Sequence, residues 1–238
     1  MDTALPSKRR VNRAGERLRE FWDGEPVEDD ELTTEIKVVL AWRAQFAGPI
    51  GLTMPGLRNW VGRYSSMSIT PVQRMKRLPR IVEKLSRHPG MQLARMQDIG
   101  GARAVLRNRE EVDRVYGRIT RKWKVDRVSD WRQEGRPDSG YRALHVMVAK
   151  HDTISDQDRV VEIQLRTEQQ QRWAEVVSQT EDRLGFALRD GDGPTELVDY
   201  FRMASDVLAA GDGDIPPLTV DFARRFDERR RQVARYFG

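Results

Sequence analysis

Alternation along Val160–Arg166 puts Glu162, Gln164 and Arg166 on one face of a strand, a carboxylate, an amide and a guanidinium in a row. A carboxylate so placed can hold a metal or take a proton, and the guanidinium beside it can hold phosphate. A solvent-facing strand shows the same alternation, so the row alone leaves both readings open. Upstream, Asp98-Ile99-Gly100-Gly101-Ala102-Arg103 joins a helix to a strand. Its glycines let backbone approach a ligand closely, and Asp98 suits Mg²⁺, a hard cation that prefers carboxylate and phosphate oxygens. A plain turn with a capping Asp is the other reading. Arg74-x-Lys76, followed by Arg77, Arg80, Lys84 and Arg87, concentrates positive charge before and along one helix. Such a run is a triphosphate cradle if carboxylates and Mg²⁺ lie opposite, and a solvated face otherwise. Ser139-Gly140-Tyr141-Arg142-Ala143-Leu144-His145 leads from a Gly/Pro/Asp-rich loop into a strand. An exposed Tyr at a loop mouth can stack on a base, or the ring can pack at the strand end. His145 alone reads as a hydrogen-bonded structural histidine.

The elements that must position these residues follow from periodicity. Apolar spacing predicts helices over Lys8–Phe21, Glu31–Phe46, Pro79–Arg87, Glu110–Trp123, Glu168–Arg183, Thr195–Leu208 and Val220–Phe237. Gly48-Pro49 is expected to end the second helix and His88-Pro89-Gly90 the third. Strands are predicted at Ala102–Leu106, Val125–Val128, Ala143–Lys150 and Arg159–Arg166, the last two antiparallel and joined by a polar loop. Gly51 to Met67 shows no clear pattern, and Gly211 to Pro217 reads as a linker. Helices first, then strands mixed with helices, then helices again indicate an α+β fold with helical arms. The expected division is an N-terminal helical extension over 1–67, a core over 68–190 and a C-terminal helical extension over 191–238.

The chain has 238 residues, 38% of them hydrophobic, enough to bury one sizeable core. No apolar run approaches the ~18 residues of a bilayer span. Met1 to Arg19 is polar and Arg-rich, without the apolar stretch of a signal peptide, so the expected location is cytoplasmic, with no membrane partner. The absence of Cys excludes disulfides and thiolate metal sites. With 33% charged residues and a net charge of +5, the chain is suited to phosphate-bearing partners.

Taken together, the segments resemble, in order and approximate spacing, the RelA/SpoT synthetase domain, and in size the chain is similar to a small alarmone synthetase. The resemblance covers about Arg74 to Ala174. It is carried by Arg74-x-Lys76 with Ile81 and Glu83-Lys84, Asp98-Ile99-x-Gly101-x-Arg103, Asp130 with Ser139-Gly140-Tyr141-Arg142 and His145, and Glu162-Ile163-Gln164-Leu165-Arg166-Thr167 with Trp173-Ala174. It implies a nucleotidyltransferase-like mixed sheet wrapped by helices, with ATP as pyrophosphate donor and Mg²⁺ as cofactor. It also implies that Arg74 and Arg103 sandwich the adenine and that Lys76 and Lys84 hold the phosphates. Asp98 and Glu162 would hold Mg²⁺, with Glu162 near enough to help deprotonate the attacking 3′-hydroxyl. Tyr141 would stack on the acceptor base, and His145, Gln164 and Arg166 would line the acceptor side.

Two departures concern the acceptor. The family's Pro-Lys pair before the Tyr is replaced by Gly135-Arg136-Pro137, and Val177-Ser178-Gln179 stands where a His is common. The resemblance admits GDP or GTP as acceptor, giving (p)ppGpp, and also the 3′-CCA end of tRNA, as in toxic relatives that block translation. The drifted loop, the absence of a recognisable hydrolase motif and the basic termini favour tRNA, because a polyanion gains from outlying charge. Those termini carry Lys8-Arg9-Arg10, Arg13, Arg17 and Arg19, then Arg224-Arg225 and Arg229-Arg230-Arg231. A toxin would have a neutralising antitoxin protein, and a homo-oligomer is a further expected partner state. A catalytically inactive RNA-binding relative is the alternative of another class.

Overall fold

The computed structural model describes residues 5–65, 70–152 and 156–237. The strand expected at Arg159–Arg166 forms the centre of the sheet. It spans Gln157–Thr167 (β5) in a five-stranded sheet of order β1-β2-β5-β4-β3, where β1 is Val72–Met75, β2 Gly100–Leu106, β3 Val125–Asp130 and β4 Leu144–Asp152. The β2/β5 pair is parallel and every other pair antiparallel, the mixed sheet that was anticipated.

Register decides which side chains share a face, because successive residues point to opposite sides. Ile163 lies between Ala102 and Val146, and Leu165 between Ala104 and Leu144. This face is fully buried, under α3 (Ala47–Tyr64) and α5 (Arg109–Lys122). On the other face Glu162 lies opposite Gly101 and Met147, and Gln164 opposite Arg103 and His145. Ser129 and Arg127 of β3 continue this row. Glu162, Gln164 and Arg166 are only 6%, 4% and 5% exposed. The row is therefore recessed and does not lie open to bulk solvent as the outer face of a strand would.

Helices α1 (Lys8–Trp22) and α2 (Asp29–Ala44) form a hairpin. Val11, Ala14 and Leu18, spaced one helical turn apart, turn inward from α1. They share one core with the sheet and with α4 (Leu78–Arg87). Gly48-Pro49 does not end the second helix as expected. It lies in the first turn of α3, where a missing N–H costs nothing because that turn has no intrahelical acceptor for it. Ile50, Met54, Leu57 and Val61 supply the buried stripe of α3, so the segment without a clear pattern is helix through Tyr64. The expected boundary at 67/68 lies outside the described residues.

The two adjacent glycines also have a different use from the expected one. A Cβ on Gly101 would sit 2.4 Å from the Glu162 carbonyl oxygen, and one on Gly100 would sit 2.7 Å from Phe46 Cβ. The close approach they permit is to the protein's own chain, strand against strand and sheet against α3.

A second apolar cluster gathers α6 (Glu168–Leu184), α7 (Thr195–Gly211) and α8 (Val220–Val233) around Tyr141 and Ala143, with Trp173, Val177, Leu197 and Phe201 at its centre. Among the described residues no helix is long and apolar enough to cross a membrane.

Candidate active site

The polar face of the sheet forms the floor of an open cleft of about 860 Å³. Every residue to which the resemblance assigns a site role lines it: Arg74, Lys76, Lys84, Asp98, Arg103, Tyr141, His145, Glu162, Gln164 and Arg166.

One wall descends from β1 and α4. Asp98 stands in the turn before β2, and its Oδ2 accepts from Lys76 Nζ and Lys84 Nζ, each at 2.9 Å. Burial alone would raise the Asp98 pKa, but the two ammonium groups outweigh it and hold the carboxyl well below the usual carboxylate range. Burial lowers the pKa of Lys76 despite that partner. Arg74 lies opposite Gly101 and Arg103 opposite Val72, so the two arginines are diagonal neighbours on one face, ~7–8 Å apart at the backbone. Burial, with Arg166 and Arg74 adding, pushes Arg103 down to about 10, so it stays charged at neutral pH.

The floor is a continuous polar chain. Arg103 Nε donates to Gln164 Oε1 (3.2 Å), and Gln164 Nε2 donates to Glu162 Oε2 (2.6 Å). Glu162 Oε1 meets His145 Nδ1 at 2.9 Å, and His145 Nε2 meets the Tyr141 hydroxyl at 2.8 Å. Arg166 Nη2 donates to the same hydroxyl at 2.6 Å. Burial would lower the His145 pKa, but its bond to Glu162 and its neighbour Tyr141 push it up to about 9. His145 is hydrogen-bonded, as expected, but its partners are the Glu162 carboxylate and the Tyr141 hydroxyl on the cleft floor. Glu162 is held below the usual range: its burial, which raises, is outweighed by His145.

Tyr141 corrects an expectation. It is 7% exposed, with Trp173 at 6.3 Å between ring centroids and the Arg166 guanidinium 5.0 Å from its own. The open reading that made it an exposed ring at a loop mouth fails, because α6 and α7 fold over the strand end and enclose it.

The sequence reading missed the other wall. Arg127, Ser129 and Met147 line the cleft from β3 and β4, as do Arg136, Arg189 and Asp190. At the mouth Asp190 bridges opposite sides, pairing with Arg87 of α4 and, at 3.5 Å, with Arg136. The alternation of Arg127 and Ser129 in β3 was a readable signal for the floor. The meeting at Asp190 had none, since Asp190 and its two partners come from three separate segments.

Of the carboxylates that line the cleft, Asp98 and Glu162 stand at its floor, and among the described residues no group of three or more potential ligands forms a ready metal cluster. They nevertheless fit Mg²⁺, which is commonly held by one or two carboxylates together with substrate phosphates. The fit rests on Asp98: while Oδ2 takes both lysines, Oδ1 is buried without a hydrogen-bond partner among the described residues.

Residues 73–181 match the family model described as "Region found in RelA / SpoT proteins". The uncharacterized protein Rv1366 of Mycobacterium tuberculosis and a counterpart in Mycobacterium bovis are each 30% identical over 167 residues, 67% of this chain. The chain spans 55% of the length of these curated relatives. Among solved structures, small alarmone synthetase 1 from Bacillus subtilis bound to its product pppGpp aligns with a TM-score of 0.59 at 21% identity, covering 73% of this chain and 93% of that one. A GTP pyrophosphokinase family protein from Streptococcus pneumoniae aligns at 0.59 and 21%, covering 82% and 98%. At such identities the likeness speaks for the fold. On that shared fold, residues 73–181 of this chain carry the region found in RelA and SpoT proteins.

Proposed function

We propose that the cleft binds ATP and transfers its terminal pyrophosphate to a ribose 3′-hydroxyl. The observation that carries this is the pair of ionised carboxylates, Asp98 and Glu162, set among cationic side chains on one sheet face, with one buried Asp98 oxygen left unsatisfied. In the reaction the 3′-oxygen bonds to the β-phosphorus. The bond from that phosphorus to the α–β bridging oxygen breaks, AMP leaves, and the hydroxyl proton is lost. Arg74 and Arg103 hold the adenine between them, and Lys76 and Lys84 turn toward the triphosphate. Arg166 and the imidazolium of His145 add positive charge where negative charge builds up. Glu162, fixed by His145 and Gln164, faces the attacking hydroxyl. Mg²⁺, when bound by Asp98 and Glu162, would neutralise phosphate charge.

The acceptor we favour is a free guanine nucleotide. Much of the charge on the basic termini is neutralised within the protein: Arg10 pairs with Glu35, Arg17 with Glu20 and Glu31, Arg224 and Arg225 with Asp221, Arg229 with Asp199, and Arg230 and Arg231 with Asp227. Arg10 and Arg17, half-buried in such pairs, are poor candidates for gripping a distant polyanion. The tRNA 3′ end remains a second reading, supported by the altered Gly135-Arg136-Pro137 loop at the cleft rim. On that reading the protein is a translation-inhibiting toxin with an antitoxin partner, and its expression should arrest growth. Incubation with γ-³²P-labelled ATP and GDP, GTP or bulk tRNA tests both. Label on the guanine nucleotide supports the favoured acceptor, label on tRNA replaces it with the second, and no label on any of them defeats the transferase assignment.

A further inference from the structure

The loop that delivers Tyr141 is gripped by a helix lying beyond the matched residues. Arg142, the next residue, is 4% exposed, and its whole guanidinium is engaged. Nε donates to Ser205 Oγ (3.1 Å), Nη1 to the carbonyls of Arg132 (2.8 Å) and Gln133, and Nη2 to Asp206 Oδ1 (2.6 Å). Ser205 Oγ in turn donates to the Gly140 carbonyl at 2.6 Å. Gly140 has φ +74°, and a Cβ there would lie 2.8 Å from Arg202 Cα, so helix and loop meet backbone to backbone. The 140–142 end of the loop is thus tied to one turn of α7, and Arg142 in turn ties the 132–133 end.

Tyr141, between these ties, bonds His145 and Arg166 through its hydroxyl. The donor side is held by other contacts: Lys76 and Lys84 on Asp98, and Arg43 Nε on the Lys76 carbonyl at 2.8 Å. No hydrogen bond among those described links Ser205 or Asp206 to that wall.

We propose that Ser205 and Asp206 are positioning residues for the acceptor. Through Arg142 they set the 132–142 loop and with it the Tyr141–His145–Arg166 side of the cleft, leaving ATP binding to the opposite wall. The inference rests on the transferase reading for its kinetic consequence, and on geometry alone for the ordering of the loop. A buried guanidinium that loses its charged partner keeps its desolvation cost, so removing the Asp206 charge frees the loop rather than merely trimming the surface.

The test uses the full chain with Asp206→Asn, Ser205→Ala and Asp206→Glu. Steady-state kinetics are measured with ATP and whichever acceptor the wild type labels, alongside hydrogen exchange. Asp206→Asn should raise the acceptor KM about tenfold, the scale of one charge-assisted hydrogen bond, with the ATP KM unchanged. Amides over 132–142 should exchange faster while those over 100–106 do not, and Asp206→Glu should restore much of the acceptor KM. Equal rises in both KM values, or an unchanged acceptor KM, overturn the proposal. If the wild type labels no acceptor, the transferase reading fails separately and exchange decides: loosening confined to 132–142 supports the positioning role, and uniform or absent loosening overturns it.

Discussion

At the scale of single residues, Asp98 and Tyr141 carry the sharpest expectations. Asp98→Asn leaves Lys76 and Lys84 facing an amide and removes an oxygen suited to a hard cation. Transfer should fall by at least ~100-fold, the loss typical of deleting one preorganised electrostatic group, while circular dichroism stays native. Retention of wild-type turnover would show that Asp98 is structural. Because Tyr141 is buried, its replacement by Ala would open a cavity and confuse packing with chemistry. Tyr141→Phe is the cleaner probe, since it keeps the ring but removes the hydroxyl shared by His145 and Arg166. We expect a lower kcat and a higher acceptor KM, with a modest drop in thermal midpoint because Arg166 loses a buried acceptor; kinetics identical to wild type would remove the hydroxyl from the mechanism. The residue types of the site were legible beforehand because a strand's period of two lays Glu162, Gln164 and Arg166 in line. What alternation could not say was whether that line faced bulk solvent or the floor of a cleft, since this depends on the walls raised around it by α4 and by the segments carrying Arg136 and Asp190.

At the scale of elements, the parallel β2/β5 pair is the most exacting junction. Gly101→Ala would put a methyl group 2.4 Å from the Glu162 carbonyl, and neither backbone can yield without parting the strands. A loss of ~1–3 kcal/mol is expected from such overpacking, read by urea unfolding, with transfer impaired because Glu162 and Arg103 lose register. A stability equal to wild type would mean the strands separate easily. Strands β2, β4 and β5 could be read from their β-branched and apolar runs. β1 could not: it has four residues, sits at the sheet edge and carries Gln73 and Arg74 in its middle. Its sequence looks like a charged lead-in to α4, and only pairing with β2 makes it a strand. α3 was hidden for a different reason. Its glycines and two prolines weigh against helix locally, and burial of Ile50, Met54, Leu57 and Val61 overrides that.

At the scale of the whole molecule, the second apolar cluster makes the C-terminal helices part of the body that carries Tyr141 into the cleft. A chain ending at residue 190 would expose Trp173, Val177 and Leu188, and we expect it to aggregate on expression and to lack transfer; a well-folded, active truncation would show α7 and α8 to be dispensable. The Asp190 bridge has a separate consequence for how the cleft fills. Arg87 and Arg136 already rest on a carboxylate, so an arriving phosphate exchanges one anion for another and releases Asp190 to water. Added salt weakens the outgoing contact as well as the incoming one. Nucleotide affinity measured by calorimetry should therefore respond only weakly to ionic strength, and because Asp138 also holds Arg136, Asp190→Asn combined with Asp138→Asn should tighten binding and steepen that response.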